Sequence, residues 1–164
     1  RAEHIRSHYT KFEYRVPVRD GVRLFTSVYV PNDATPSKRY PILLVRTPYS
    51  VAPYGADRYP AYLGPSAEFE KDGFIFVLQD VRGRGDSDGE FYPLRHEAKD
   101  GFDAQTWAGT QPWSSGKVGT MGGSYVGWTQ VYTAGLNNPH LAAMAPRATA
   151  PDPTAVCQPA QQPS

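Results

Sequence analysis

The chain has 164 residues, the length of one domain, and its 17 Lys and Arg against 16 Asp and Glu leave a formal net charge of +1. Nucleic acids and anionic membranes attract proteins with a basic excess, so this balance argues against both kinds of partner. A hydrophobic content of 40% is too high for a disordered chain. The single cysteine, Cys157, excludes an internal disulfide framework and a cysteine-based metal cage.

The ends of the sequence carry few signals about location. No apolar run approaches the roughly 18 residues that a membrane span needs. The sequence begins with Arg1 instead of Met, and no signal-like apolar stretch follows. We therefore expect the natural start to have been processed away, trimmed or not captured. A removed signal peptide would favour a periplasmic or secreted protein, but the sequence itself leaves the location open.

The first third of the chain predicts a β-hairpin. Residues 1–11 are polar and show no pattern. Residues 13–30 alternate between apolar and polar side chains, and Asp20 and Gly21 interrupt the alternation. An Asp-Gly pair is a strong hairpin signal, because glycine accepts the positive φ of a tight turn.

Two short apolar runs follow, at residues 41–47 and 74–79. Continuous apolar runs of this length are typical of strands buried on both faces of a parallel sheet, so we expect these two strands to lie parallel in the core. The intervening residues 48–66 contain Pro, Tyr and Gly and predict a long irregular loop. Residues 66–72 predict a short helix that ends at Gly73.

The second half of the chain alternates between helices and strands. Helical spacing with charges in the first turn predicts a helix over residues 97–107. The patterns then predict a strand over 117–121, a helix over 124–136 and a strand over 141–146. Such an alternation after an N-terminal β-hairpin predicts an α/β fold with a mainly parallel sheet.

The end of the sequence differs in composition from the rest. Residues 150–164 have four prolines and no periodicity, which is typical of a tail. We therefore predict one domain over residues 1–152, followed by a poorly packed Pro/Gln-rich tail over 153–164. No internal repeat is present.

Ser124 is the candidate nucleophile. Residues 119–127 (GTMGGSYVG) lie between a predicted strand and a predicted helix. A nucleophile elbow needs this context, because the serine sits on a sharp turn between small residues and its Oγ projects above the sheet. The following helix offers N–H groups to a developing oxyanion. Alternatively, Ser124 is a helix N-cap after a glycine turn, with no catalytic role.

A second glycine-rich segment, residues 80–89 (DVRGRGDSDG), follows the second buried strand. It lacks the Lys-Ser/Thr pair of a phosphate-binding P-loop and the twelve-residue pattern of a calcium loop. Its glycines allow tight turns, and Arg82 can pair with a nearby acid. The segment therefore favours a structural loop at the end of a strand.

Five motifs in order give the chain a family resemblance over residues 9–152. They are residues 16–22 (VPVRDGV), 46–49 (RTPY), 79–83 (QDVRG), 107–119 (WAGTQPWSSGKVG) and 122–127 (GGSYVG). Together they resemble the CocE/NonD hydrolases, an α/β-hydrolase group of serine esterases, acylases and X-Pro dipeptidyl-peptidases. That family writes the elbow as G-x-S-Y-x-G, which this sequence matches.

The resemblance implies the N-terminal portion of an α/β-hydrolase fold and a set of site residues. Ser124 matches the nucleophile, and Tyr125 matches the residue whose backbone N–H forms half of the oxyanion hole. Tyr49 matches the tyrosine whose hydroxyl supplies the other half. A phenol suits this task because it donates a hydrogen bond without carrying charge. The implied partner is a small ester, amide or short peptide substrate, and no cofactor or metal is implied.

The sequence departs from the family in its acid and base. In α/β-hydrolases the triad follows the order Ser, Asp, His. After Ser124 the only histidine is His140 and the only acid is Asp152, in reversed order. We expect the true acid and base to lie beyond Ser164, in which case this sequence holds the first half of a catalytic domain and shows little or no turnover by itself.

Two alternatives remain at this point. The string Arg84-Gly85-Asp86, followed by Ser87, matches an integrin-binding tetrapeptide and would make the chain an adhesion module. Glycine-rich loops after strands produce such strings readily, so the string alone is poor evidence for an adhesion module. The second alternative is a non-catalytic remnant of the hydrolase family, which the missing histidine favours.

Overall fold

A computed structural model describes residues 1–149 of the chain. These residues form a six-stranded sheet with the strand order β1-β2-β4-β3-β5-β6. The strands are β1 (Tyr9–Pro17), β2 (Arg23–Pro31), β3 (Tyr40–Thr47), β4 (Ile75–Asp80), β5 (Ser114–Gly123) and β6 (Leu141–Arg147). The helices are α1 (Ala2–His8), α2 (Ala67–Lys71), α3 (Glu97–Gly109) and α4 (Tyr125–Ala134).

The predicted hairpin is present. Strands β1 and β2 pair antiparallel from Tyr9 opposite Pro31 to Pro17 opposite Arg23. Gly21 lies in the connecting turn with a φ of +87°, which explains why glycine is needed there. β2 then pairs antiparallel with β4, so the hairpin forms one side of the sheet.

The N-terminal segment differs from the sequence-based prediction. Residues 1–11 showed no pattern, but they include helix α1 and the start of β1. Ile5 is the buried residue of α1 and packs with Tyr9 and Tyr29 on one face of the sheet. One apolar side chain in a seven-residue helix produces no periodicity, so the packing partner and not the local pattern specifies this helix.

The two apolar runs form the central parallel strands, as predicted. β3 and β4 pair in parallel, with Ile42 opposite Ile75 and Leu44 opposite Val77. Ile42 and Leu44 pack into the cluster on the α3 side, whereas Leu43 packs into the cluster on the opposite side. Both faces of β3 are therefore buried, which is why its sequence is continuously apolar.

Strands β5 and β6 complete the parallel part of the sheet. β5 pairs in parallel with β3 and with β6, and α4 packs against all three strands. β5 begins at Ser114, three residues before the predicted start. Its first residue is defined by pairing with Tyr40 in β3 and not by an apolar pattern in the sequence. The predicted boundary at residue 152 and the tail at 153–164 lie outside the described residues.

Candidate functional site

Ser124 occupies the turn between β5 and α4. Its backbone has a φ of 57° and a ψ of −125°, a conformation that a residue with a Cβ adopts only under constraint. The side chain makes no capping hydrogen bond to the helix, although Ser124 stands at the N-cap position, and the residue is exposed. Ser124 therefore stands at the N-cap without capping the helix through Oγ, and its strained turn between strand and helix is the backbone geometry that a nucleophile elbow needs.

Glycines make this turn possible. Gly122 has a φ of 135°, and a Cβ there would overlap Val126, whose own Cβ would be 2.7 Å away. On the other side, a Cβ at Gly127 would overlap Thr149 Oγ1. Larger residues at either position would displace the chain that shapes the turn. The small neighbours of Ser124 therefore have a steric cause.

The backbone of the turn is tied to the end of β6. Ser124 N donates to Arg147 O at 2.9 Å, and Thr149 Oγ1 donates to Ser124 O at 3.1 Å. The N–H of Tyr125 is one of the first in α4, and such groups have no acceptor inside their own helix. Within residues 1–149 nothing else accepts from it. This N–H is available to an anion beside Ser124.

Tyr49 leaves the sheet at the same edge as Ser124. It lies two residues beyond the end of β3, and its N–H donates to Thr47 Oγ1 at 3.0 Å. β3 and β5 are adjacent and parallel, with Leu44 opposite Thr120, so both strands end at the same edge of the sheet. Tyr49 is 66% exposed, so its hydroxyl is accessible from solvent. Sheet topology thus brings the two sequence-predicted residues to one edge, on adjacent strands.

The Tyr125 side chain points away from solvent into a polar cluster. Its hydroxyl donates to Glu97 Oε1 at 3.3 Å and accepts from Leu94 N at 2.9 Å. Burial, and then the nearby Glu97 carboxylate, raise the pKa of Tyr125 to about 12. The phenol therefore stays protonated at neutral pH and acts as a fixed hydrogen-bonding group.

Sequence reasoning missed the ion pair beneath this phenol. Arg46 Nη1 and Glu97 Oε2 lie 3.0 Å apart, with side chains only 4% and 3% exposed. Arg46 Nε also donates to Gln79 Oε1 at 2.7 Å. The signal in the sequence was a charged residue within the apolar run of β3, because a buried charge requires a partner.

Asp80 anchors the loop that contains Tyr49. Its carboxylate accepts from Val51 N at 3.0 Å, Tyr54 Oη at 2.7 Å and Asp86 N at 3.1 Å. Burial raises the pKa of this carboxyl above its ordinary value, although these hydrogen bonds oppose the shift. The carboxylate therefore ties the loop after β3 to the loop after β4.

The contacts of Arg82 confirm the prediction that residues 80–89 form a structural loop. It makes two hydrogen bonds of 2.9 Å to the Asp100 carboxylate and a third, of 2.8 Å, to Asp20. The bidentate pair joins this loop to α3, and the third bond joins it to the hairpin turn. The loop thus connects three parts of the fold.

The integrin-like tripeptide lies in this same loop. Arg84 is exposed and stacks on the Phe91 ring at 4.2 Å from its centroid. Asp86 is also exposed, but its backbone is held by Asp80 and by Arg15, which donates to Asp86 O at 2.7 Å. These contacts give the string a structural role and provide no observation that favours adhesion.

None of the four histidines is hydrogen-bonded to Ser124 within residues 1–149. His140 precedes β6, about 20 Å along that strand from Arg147, and its Nδ1 contacts Gly116 O at 2.9 Å. His4 and His8 are exposed on α1, at the opposite edge of the sheet from Ser124. His96 is half-buried at the start of α3.

Residues 1–149 show neither a metal-binding cluster nor a membrane-spanning helix. They contain no group of three or more His, Cys, Asp or Glu side chains that could hold a metal ion. None of their helices combines the length and the apolar character needed to cross a membrane.

A mainly parallel sheet with a strained serine between a central strand and its following helix defines the α/β-hydrolase fold. Residues 20–160 match the family described as X-Pro dipeptidyl-peptidase (S15 family). The chain belongs to this family, and its described residues form the N-terminal portion of the hydrolase fold.

Individual relatives agree with this assignment. Cocaine esterase from Rhodococcus sp. is 37% identical over 142 residues, and the match covers 84% of this chain and 23% of the esterase. A solved α-amino acid ester hydrolase is 32% identical with a TM-score of 0.70, over 84% of this chain and 25% of that one. A CocE/NonD family hydrolase from Staphylococcus aureus is 27% identical with a TM-score of 0.67, and the match covers 83% of this chain and 27% of that hydrolase. The chain therefore spans about a quarter of the length of these relatives.

Proposed function

We propose that this chain is part of a serine hydrolase that cleaves ester or amide bonds through an acyl-enzyme, with Ser124 as its nucleophile. The observation that carries the proposal is the exposed, uncapped Ser124 at a φ of 57° at the start of α4. Family membership supports the same chemistry, because relatives are named for esters and for X-Pro peptides.

The proposed reaction begins with attack of Ser124 Oγ on the carbonyl carbon of the substrate. The carbonyl oxygen becomes an oxyanion, which receives hydrogen bonds from the Tyr125 N–H and the Tyr49 hydroxyl. The general base takes the Ser124 hydroxyl proton and passes it to the alcohol or amine, which leaves as the oxyanion reforms the carbonyl. Water, activated by the same base, then hydrolyses the acyl-enzyme and restores the serine. Both donors lie at the carboxyl edge of adjacent parallel strands, which supports their joint action.

The general base is proposed to lie outside residues 1–149. His140 lies at the far end of β6, and His4 and His8 lie at the other edge of the sheet. His96, at the start of α3, makes no hydrogen bond to Ser124 within residues 1–149. An unassisted serine hydroxyl is a weak nucleophile. We therefore expect the 164-residue chain to show little turnover, apart from the roughly 10³–10⁴-fold acceleration over water that an oxyanion hole and binding alone can give.

A fluorophosphonate probe tests the proposal in the full-length protein that contains this chain. We expect stoichiometric labelling that Ser124→Ala abolishes, and slow or no labelling of residues 1–164 alone. Rapid labelling of the 164-residue chain, lost in Ser124→Ala, would show that a base is present within it. No labelling of the full-length protein would instead favour the non-catalytic remnant.

Tyr49→Phe in the full-length protein tests the second oxyanion donor. Loss of one such donor raises the barrier by about 2–4 kcal/mol, so kcat should fall accordingly. Tyr62→Phe is the matched control, because Tyr62 is 68% exposed and Tyr49 66%. Equal activity of the two variants would contradict a role of the Tyr49 hydroxyl. Activated esters and X-Pro anilides, compared in the same assay, separate an esterase from a dipeptidyl-peptidase.

A further inference from the structure

Tyr125, the first residue of α4, is fixed both by its backbone and by its phenol. The backbone of Tyr125 begins the helix directly after Ser124, and its phenol reaches Leu94 N and Glu97 Oε1. Leu94 lies in the loop before α3, and Glu97 is the first residue of α3. The phenol thus fixes the start of α4, including the Tyr125 N–H, relative to the start of α3.

Glu97 is itself immobilised. Its Oε2 accepts from Arg46 Nη1 at 3.0 Å, and its backbone oxygen accepts from Thr133 Oγ1 of α4 at 3.1 Å. Both charged side chains are almost fully buried. A buried ion pair with fixed hydrogen bonds cannot move freely, because any displacement leaves a charge without a partner in a medium of low dielectric.

Arg46 extends the connection to the strand that precedes Tyr49. It lies in β3, three residues before Tyr49, and its backbone oxygen accepts from Thr129 Oγ1 of α4 at 3.3 Å. One ion pair therefore contacts β3, α3 and α4. β3 leads to Tyr49, one candidate oxyanion donor, and α4 begins with Tyr125, whose N–H is the other.

We propose that the buried Arg46–Glu97 pair positions the oxyanion hole by fixing the Tyr125 phenol. This inference rests on the proposed function, because it assigns the pair an effect on the same site. Donors accelerate a reaction when they are aligned before the charge develops, and small displacements remove much of the effect. Arg46 and Glu97 are positioning residues, and neither contacts the substrate.

Tyr125→Phe in the full-length protein is the main test. It removes the hydrogen bonds of the phenol with Glu97 Oε1 and Leu94 N and keeps the backbone N–H and both buried charges. We expect kcat on an activated ester to fall about tenfold to a hundredfold with KM unchanged. Tyr9→Phe is the matched control, because it also removes a buried phenol hydrogen bond, to Glu70 O at 2.8 Å, at the far edge of the sheet.

Both variants should lose thermal stability, since Tyr125→Phe loses two hydrogen bonds and Tyr9→Phe loses one, but only Tyr125→Phe should lose kcat. An equal kcat in both variants would overturn the inference, because the pair would then be a purely structural feature. A loss of kcat in Tyr9→Phe of the same size would overturn it as well, since the loss would follow stability and not position.

Glu97→Gln provides a rescue test. The amide oxygen can accept from Arg46 and the amide NH₂ can donate to the phenol oxygen, so both contacts can persist, although the buried Arg46 loses its counter-charge and the free energy of unfolding should fall. We expect kcat of the folded variant to fall less than in Tyr125→Phe, because the contacts that fix the phenol are retained. A loss as large as that of Tyr125→Phe would show that the charge acts directly on the reaction, which contradicts a positioning role.

Ser124→Ala distinguishes a failure of the positioning role from a failure of the proposed function. If this variant loses fluorophosphonate labelling and Tyr125→Phe keeps its kcat, the proposed function stands and the positioning role is wrong. If Ser124→Ala keeps the labelling, the proposed function is wrong and the positioning role fails with it.

Discussion

Gly122→Ala should destabilise the protein strongly, because the turn before Ser124 has no room for a side chain. Gly122 has a φ of 135°, which side chains of L-residues rarely allow. An added Cβ would also overlap Val126 in the first turn of α4. Either the glycine or the helix start must move to relieve the overlap.

The two costs set the magnitude. A residue held in a backbone region that favours glycine costs about 1–3 kcal/mol. Overpacking in a close-packed region costs a further 1–3 kcal/mol or so. Together they predict a loss of about 2–6 kcal/mol, a large part of the roughly 5–15 kcal/mol that stabilises an ordinary domain. The same displacement should slow labelling of Ser124 in the full-length protein.

Gly119→Ala is the matched control within the same strand. A Cβ at Gly119 would lie 3.7 Å from Ile42 O and from Leu43 Cδ1, which is ordinary contact. We expect its free energy of unfolding to remain within about 1 kcal/mol of the wild type. Urea-induced unfolding followed by tryptophan fluorescence measures both variants. Equal stability of Gly122→Ala and Gly119→Ala would refute the steric argument for the turn.

Two further predictions concern buried charges. Arg82→Ala should lower the free energy of unfolding by about 3–5 kcal/mol, because it leaves the Asp100 carboxylate, 3% exposed, without its partner. Arg19→Ala breaks a more exposed ion pair with Asp103 and should change the free energy of unfolding little. Equal losses of the two variants in urea denaturation would contradict this reasoning. Burial raises the pKa of Asp80, so its contribution to stability is present at low pH and is lost as the pH rises through that raised pKa. Asp80→Asn should remove this part of the pH dependence at pH values above the ordinary pKa of an aspartate, and an unchanged profile would refute it.

The location of Ser124 was predictable because the relevant information is local. Glycines on both sides of a serine, placed between a strand and a helix, specify an elbow within nine residues. The β-hairpin and the parallel pairing of β3 with β4 were predictable for the same reason, since each depends on a turn signal or a continuous apolar run. Tyr49 was different, because only the family resemblance singled it out among eleven tyrosines.

The sequence by itself therefore determined the class of fold and the position of the candidate nucleophile through short-range patterns. Only the tertiary structure decided that Arg46 pairs with Glu97, 51 residues away, and that this pair holds the Tyr125 phenol. It also placed His140 at the wrong end of β6 for a base. Contacts of this kind depend on strand order and register, which bring distant residues together, and no local pattern encodes that alignment.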